Sequence, residues 1–356
     1  VVPAVQDGTN TTTAETDFLG TATVGGVQEV RNILNNAAVE SIDSANSVIT
    51  LQQQEDFGIY SQQSGANIAT ADANRGGASV DVDQSARNFL NTASFDAGAD
   101  AGEIDVLISD QYFRGDSSQE VRNRATADTN RGNAPAGATQ VGANVANSLS
   151  VNTRQDSAFG FVSIDQEAVQ VPEIYGNFEP SQSVRNFAFA DVDRRGDATA
   201  DVSQDAVNQA NILDFEGGTF ILVVDQINED LSQNARNAAV ASADDAWRGS
   251  AAINLGSGME ASGDDPDADG YEPGLAGGGQ VALNIANSAT LGDPIAFLSM
   301  DQISGVSGNA SDGASQSAFN YLGAYGGTFG SATINAASLD GPETSDPNGE
   351  ALSARG

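Results

Sequence analysis

Three residue patterns in this chain have the types and spacing to do chemistry. The first is Asp265-x-Asp267-x-Asp269-Gly270, inside the stretch D-D-P-D-A-D-G-Y-E over 264–272. Carboxylates at alternate positions before a turn glycine match the opening of a calcium loop. Such a loop closes with a bidentate Glu, but that position is Ala276, and Glu272 comes earlier. A solvated acidic insertion between two strands competes with the calcium reading. The second pattern is a pair of acidic clusters, Asp96, Asp100, Glu103 and Asp105, and Asp191, Asp193, Asp197 and Asp201. Alternating Asp on a strand usually faces water. The third is Gln-x-x-x-Asn, which recurs ten times between Gln28 and Asn320.

Composition removes most other chemistry. The 356 residues include 49 acidic and 14 basic side chains, and every basic one is Arg. Without His there is no catalytic imidazole, and without Cys no thiolate nucleophile, Fe–S cluster or disulfide. Without Lys there is no Schiff base. A carboxylate pair would be the remaining catalyst, and nothing singles one out, so no enzyme is expected. Aromatics are only 6%, few for a carbohydrate-binding cleft. The net charge of −35 repels nucleic acid and anionic membranes. No apolar run approaches the roughly 18 residues of a membrane helix, so no membrane insertion is expected. The first residue is Val; a removed secretory leader is the expected cause. A secreted, extracellular protein without cysteine must be held together by other means.

The ten Gln/Asn pairs sort into two kinds. One kind is Gln63/Asn67, Gln119/Asn123, Gln182/Asn186, Gln233/Asn237 and Gln316/Asn320, mostly preceded by Ser. The other is Gln28/Asn32, Gln84/Asn88, Gln140/Asn144, Gln204/Asn208 and Gln280/Asn284. Small or apolar residues alternate after the Asn, as in N186-F-A-F-A, which marks strands. A third strand ends in Asp-Gln, as in T219-F-I-L-V-V-D-Q226. Gln28 to Gln84 and Gln84 to Gln140 are both 56 residues, lengthening later to 64 and 76. Periods of this length indicate a solenoid. Stacked at one strand spacing, about 4.8 Å, each side-chain amide can bond the one above and the one below. These pairs are therefore read as structural ladders. Arg31, Arg87, Arg122, Arg185 and Arg236, lying between Gln and Asn, should face outward. Asp110, Asp165, Asp225 and Asp301 of the Asp-Gln strands are the expected counter-charges.

The order strand, Gln, short turn, Asn, strand in V80-D-V-D-Q84-S-A-R-N88-F-L-N-T-A-S-F95 resembles the repeats of the curli major subunit and its relatives among secreted bacterial fibre and holdfast-anchor proteins. The resemblance covers residues 28–338. It departs in its longer three-strand unit, its charge, and a turn glycine present only at Gly65 and Gly142. It implies a secreted, amyloid-like structural protein whose partners are its own copies, with a secretion or nucleator partner.

The expected fold is an all-β solenoid of five three-strand units over 25–338, starting near 28, 84, 140, 204 and 280. Residues 1–24 are read as an N-terminal arm and 339–356 as a flexible C-terminal arm. A β-sandwich pilin completed by a donor strand is the alternative architecture. The expected function is a subunit of an extracellular filament, assembled head to tail through terminal strands, for adhesion or biofilm matrix. A monomeric calcium-dependent adhesin or stalk is the alternative. No cofactor is required, with calcium as the candidate.

Overall fold

The computed structural model describes residues 4–17, 20–40, 48–53, 61–97, 104–114, 117–153, 158–169, 171–173, 176–178, 180–216, 218–229, 231–243, 247, 249–255, 279–292, 295–305 and 315–336. The chain winds as successive turns of three strands. The first turn is β1 (Ala4–Thr16), β2 (Ala22–Glu40) and β3 (Val48–Gln53). The second is β4 (Ser61–Ala73), β5 (Ala78–Ala97) and β6 (Ile104–Arg114). The third is β7 (Ser118–Arg131), β8 (Ala134–Thr153) and β9 (Ala158–Val169), followed by a hairpin of β10 (Val171–Glu173) and β11 (Gly176–Phe178). The fourth is β12 (Ser181–Arg195), β13 (Ala198–Glu216) and β14 (Gly218–Glu229). The fifth is β15 (Ser232–Ser242), a divided middle strand of β16 (Ala251–Leu255), β17 (Gln280–Ile285) and β18 (Ser288–Leu291), and β19 (Ile295–Gly305). A partial sixth turn adds β20 (Ser315–Tyr325) and β21 (Ala332–Ala336).

Equivalent strands stack in parallel into three sheets. Sheet A is β1-β4-β7-β12-β15-β20, sheet B runs from β2 through β13 to β21, and sheet C is β3-β6-β9-β14-β19. Within each turn the chain passes from sheet A to sheet B to sheet C, and the pairing in all three is parallel, which rules out the antiparallel pilin sandwich. The five units read from the sequence are present, with an extra strand at each end. The N-terminal arm is corrected accordingly: Ala4–Thr16 is the first strand of sheet A, paired with β4 from Ala4↔Ser61 to Thr16↔Ala73. The C-terminal arm lies outside the described residues.

Strict alternation builds the layers. β4 buries every second residue, and Ala69, Ala71 and Ala73 point inward with no exposure. They pack against Ala78, Val80 and Val82 of the next strand. So the first half of sheet B closes on sheet A through small side chains. The second half of sheet B packs on sheet C through larger ones, including Phe95, Leu107, Leu149, Phe159, Leu213 and Phe215. Between the halves sheet B bends at Asn35, Asn91, Asn147 and Asn211, whose φ values of 52–55° are left-handed. Asn tolerates that region better than other non-glycine residues.

The corner from sheet A to sheet B has no room for a side chain. A Cβ on Gly196 would sit 1.6 Å from the carbonyl oxygen of Gly132, and one on Gly76 would sit 1.6 Å from that of Gly20. Gly76, Gly132 and Gly196 each follow an Arg, and the corner glycines stack directly on each other.

The fifth turn holds the one large interruption among these strands. Leu255 pairs with Val202 and Gln280 with Gln204, so residues 256–279 take the place of Ser203 alone. The insertion leaves the ladder on both sides in register.

Candidate functional site

The sites with chemistry are the amide ladders and the two ends where they stop. In sheet A the Gln column is Gln6, Gln63, Gln119, Gln182, Gln233 and Gln316. Each Nε2 donates to the Oε1 one turn earlier at 2.7–2.8 Å. The Asn column beside it, Asn10, Asn67, Asn123, Asn186, Asn237 and Asn320, runs the other way. There each Nδ2 donates to the Oδ1 one turn later at 2.9–3.0 Å.

Sheet B repeats this opposition. Gln84, Gln140 and Gln204 donate backward, starting onto Gln28, at 2.6–2.7 Å, and Gln280 continues the column. Asn32, Asn88, Asn144 and Asn208 donate forward, ending on Asn284, at 2.8–2.9 Å. All twenty residues expected in ladders are therefore in them.

The second amide N–H crosses to the facing sheet. Gln63 Nε2 donates to the Phe89 carbonyl at 2.9 Å and Asn67 Nδ2 to that of Ser85 at 2.8 Å. In return Gln84 Nε2 reaches the Arg124 carbonyl and Asn88 Nδ2 that of Glu120, both at 3.0 Å. A flipped amide would aim oxygen at oxygen, so the facing carbonyls fix each orientation. Buried polar groups are satisfied along the stack, and a slipped register would leave them unpaired.

Sequence reasoning missed three sets of ladder residues. Gln6/Asn10 carry the same spacing but lie before the units. The bend residues Asn35, Asn91, Asn147, Asn211 and Asn287 form their own column at 2.9–3.0 Å. Their signal was present: each follows a sheet B ladder Asn by three residues. The Gln of the Asp-Gln strands forms a sixth column, Gln53, Gln111, Gln166, Gln226 and Gln302.

Charged side chains stack in columns on the outer faces. Arg122, Arg185 and Arg236 are aligned on sheet A and exposed. Arg236 also lies over the Phe319 ring at 5.3 Å. Asp110, Asp165, Asp225 and Asp301 are aligned on sheet C. The expected counter-charge pairing is corrected for Arg122, Arg185 and Arg236: they stack on sheet A, whereas the aspartate column stacks on sheet C. Burial pushes Asp165 up to about 6, with Glu167, Asp110 and Asp225 adding to the rise. Its Oδ2 accepts from the Tyr112 hydroxyl at 3.0 Å, while its Oδ1 is buried without a partner.

A second acidic region lines a cleft of about 340 Å³ at the edge of sheet A, with Glu15, Asp17, Asp72, Asp128 and Asp193. Burial, then Asp191, Asp72 and Asp193, raise Asp128 to about 6. The carboxylates are spread along the stack. Among the described residues no three acidic groups converge to hold a metal ion. Asp191 belongs to this stretch, but Asp197 accepts from the Ser250 amide and Asp201 from Asn254. The side chains of Asp96, Asp100, Glu103 and Asp105 lie outside the described residues, as do Asp265, Asp267, Asp269 and Glu272.

Among the described residues no strand stacks beyond β1 at one end or beyond β19 to β21 at the other. β19 to β21 leave Phe297, Leu298, Ile303, Phe319 and Ile334 exposed. The Gln280 Oε1, the acceptor that a further turn would meet, is buried without a partner. At the other end Thr12 hydroxyl accepts from Gln28 and covers one donor.

No protein-family model, curated protein or solved structure matches the chain.

Proposed function

We propose that the chain is a structural subunit of a secreted, extracellular filament, stacked head to tail by placing β1 of one copy on β20 of the next. The observation that carries this reading is the opposed polarity of the ladders. Because Gln donates backward and Asn forward, the first turn offers Gln6 N–H and the Asn10 oxygen. The last turn offers the Gln316 oxygen and Asn320 N–H. In parallel register the two ends are complementary: Gln6 N–H meets the Gln316 oxygen, and Asn320 N–H meets the Asn10 oxygen. A heterologous contact of this kind does not close and gives a filament. Unpaired parallel edges favour such addition. The resemblance to curli-type fibre proteins supports a role in adhesion or matrix, with a secretion-linked nucleator as a partner.

The second reading is a monomeric surface stalk or adhesin. It is favoured by the stepped C-terminal end, where β17 to β19 carry no further strand among the described residues. Negative-stain microscopy of the full chain and of a chain lacking residues 4–16 separates the two. Long uniform filaments, lost on deletion, are the expected result. Isolated short rods at every concentration would establish the stalk.

A further inference from the structure

The like-charge columns on the outer faces of sheets A and C point to a lateral contact between copies. Three guanidiniums, Arg122, Arg185 and Arg236, occupy successive turns of sheet A and are exposed. Four carboxylates, Asp110, Asp165, Asp225 and Asp301, occupy successive turns of sheet C. A column of like charges is unfavourable, and each costs most where water is excluded, as the buried Oδ1 of Asp165 shows. The contacts present are partial: Gln52 Nε2 donates to Asp110 at 3.1 Å and Tyr112 to Asp165. Glu120 stands beside Arg122 on the same face, and Glu167 beside Asp165 on the other.

Both columns repeat at the same distance, one strand spacing of about 4.8 Å. Columns on aligned copies therefore stay in phase over their whole length, and one correct pair brings the others into place. We propose that copies associate side by side by laying the arginine column of sheet A on one copy against the aspartate column of sheet C on its neighbour. The occupant of each face is a second copy of this chain, selected by opposite charge at equal spacing. Each copy keeps its other column free, so the contact extends to further copies and builds bundles. The contact needs only aligned copies. It holds for short rods as well as for head-to-tail filaments.

Charge-swap complementation tests it on the full chain in the presence of a chelator. Variant one carries Arg122→Glu, Arg185→Glu and Arg236→Glu; variant two carries Asp110→Arg and Asp225→Arg and leaves the half-buried Asp165 in place. Width is read by electron microscopy and side-by-side pairing by sedimentation velocity. Circular dichroism checks the fold. Wild type should form bundles, each variant alone should fall to single width, and an equimolar mixture should regain bundles. Wild-type copies that stay single, variants that bundle as wild type does, or a mixture that stays single would each overturn the proposal. So would bundles that form only with added calcium and ignore the arginine changes. Particle length reports the head-to-tail joint separately. Short rods that still pair would remove the filament reading and leave this one standing.

Discussion

Asn144 donates its Nδ2 to the Oδ1 of Asn208 at 2.9 Å across 64 residues of sequence. The same nitrogen donates to the Ser183 carbonyl of the facing sheet at 3.0 Å, and the Asn144 Oδ1 accepts from Asn88 at 2.9 Å. One buried side chain thus joins three turns of one sheet to the opposing sheet.

Asn144→Leu should be among the most damaging single changes in the chain. It removes these bonds and strands the Asn88 donor and Asn208 acceptor in a dry layer. The expected cost is about 3 kcal/mol, read from the denaturant midpoint. A change under 0.5 kcal/mol, the size of an ordinary surface substitution, would show that the ladder sets register without adding stability.

Substitutions at Asn91 should rank by backbone freedom and not by size. Its φ is 52° and its Nδ2 donates to the Tyr112 carbonyl and to Asn147. Asn91→Gly keeps the bend and loses only the bonds, whereas Asn91→Val loses both. Thermal midpoints should fall in the order wild type, Gly, Ala, Val. Equal losses for Gly and Val would mean that the bend costs nothing to hold.

Gly196→Ala should destabilise far more than Gly25→Ala. A Cβ at Gly196 meets backbone oxygen at 1.6 Å with φ at +137°, whereas one at Gly25 finds its nearest neighbour, the Asp81 carbonyl, at 3.5 Å. The first change must move the stacked corner, at a cost of about 3 kcal/mol or more. Comparable midpoints for the two variants would contradict the close stacking of the corner.

Stability should rise as pH falls from 7 to 5. Asp128, Asp165 and Asp205 are each raised from 3.8 to about 6, with burial the largest cause. The folded chain therefore binds more protons than the unfolded chain between these values. The stabilisation is complete below the unfolded value and lost as pH rises through the folded one. No His is present to mask the effect. Asp128→Asn should flatten part of the slope in a series of thermal melts between pH 4 and 8; a steeper slope would reverse the assignment.

Removing residues 256–278, so that Leu255 runs into Gly279, should leave the solenoid intact. The flanking pairs Leu255↔Val202 and Gln280↔Gln204 then bracket one residue, as in β13. The circular dichroism spectrum should be unchanged. Any calcium-induced rise in melting temperature should disappear with Asp265, Asp267, Asp269 and Glu272. A calcium response that survives the deletion would place the ion elsewhere.

By itself, the sequence determined the all-β class, the five units and twenty ladder residues. In-register parallel stacking sets equivalent positions on top of one another, so a contact across 56 residues appears as a repeated letter. Gln84 above Gln28 is legible because both are Gln. Gln6 and Asn10 repeat the Gln-x-x-x-Asn spacing but lie before the first three-strand unit, and only the pairing of β1 with β4 makes that segment a strand of sheet A. Tertiary structure alone decided which sheets face each other. Sheet B turns its halves to different partners, and this separates the arginine column from the aspartates expected to neutralise it. Donor direction along each ladder was also beyond the sequence. An amide has the same composition either way round, and only the carbonyl of the facing strand, as Phe89 does for Gln63, tells nitrogen from oxygen.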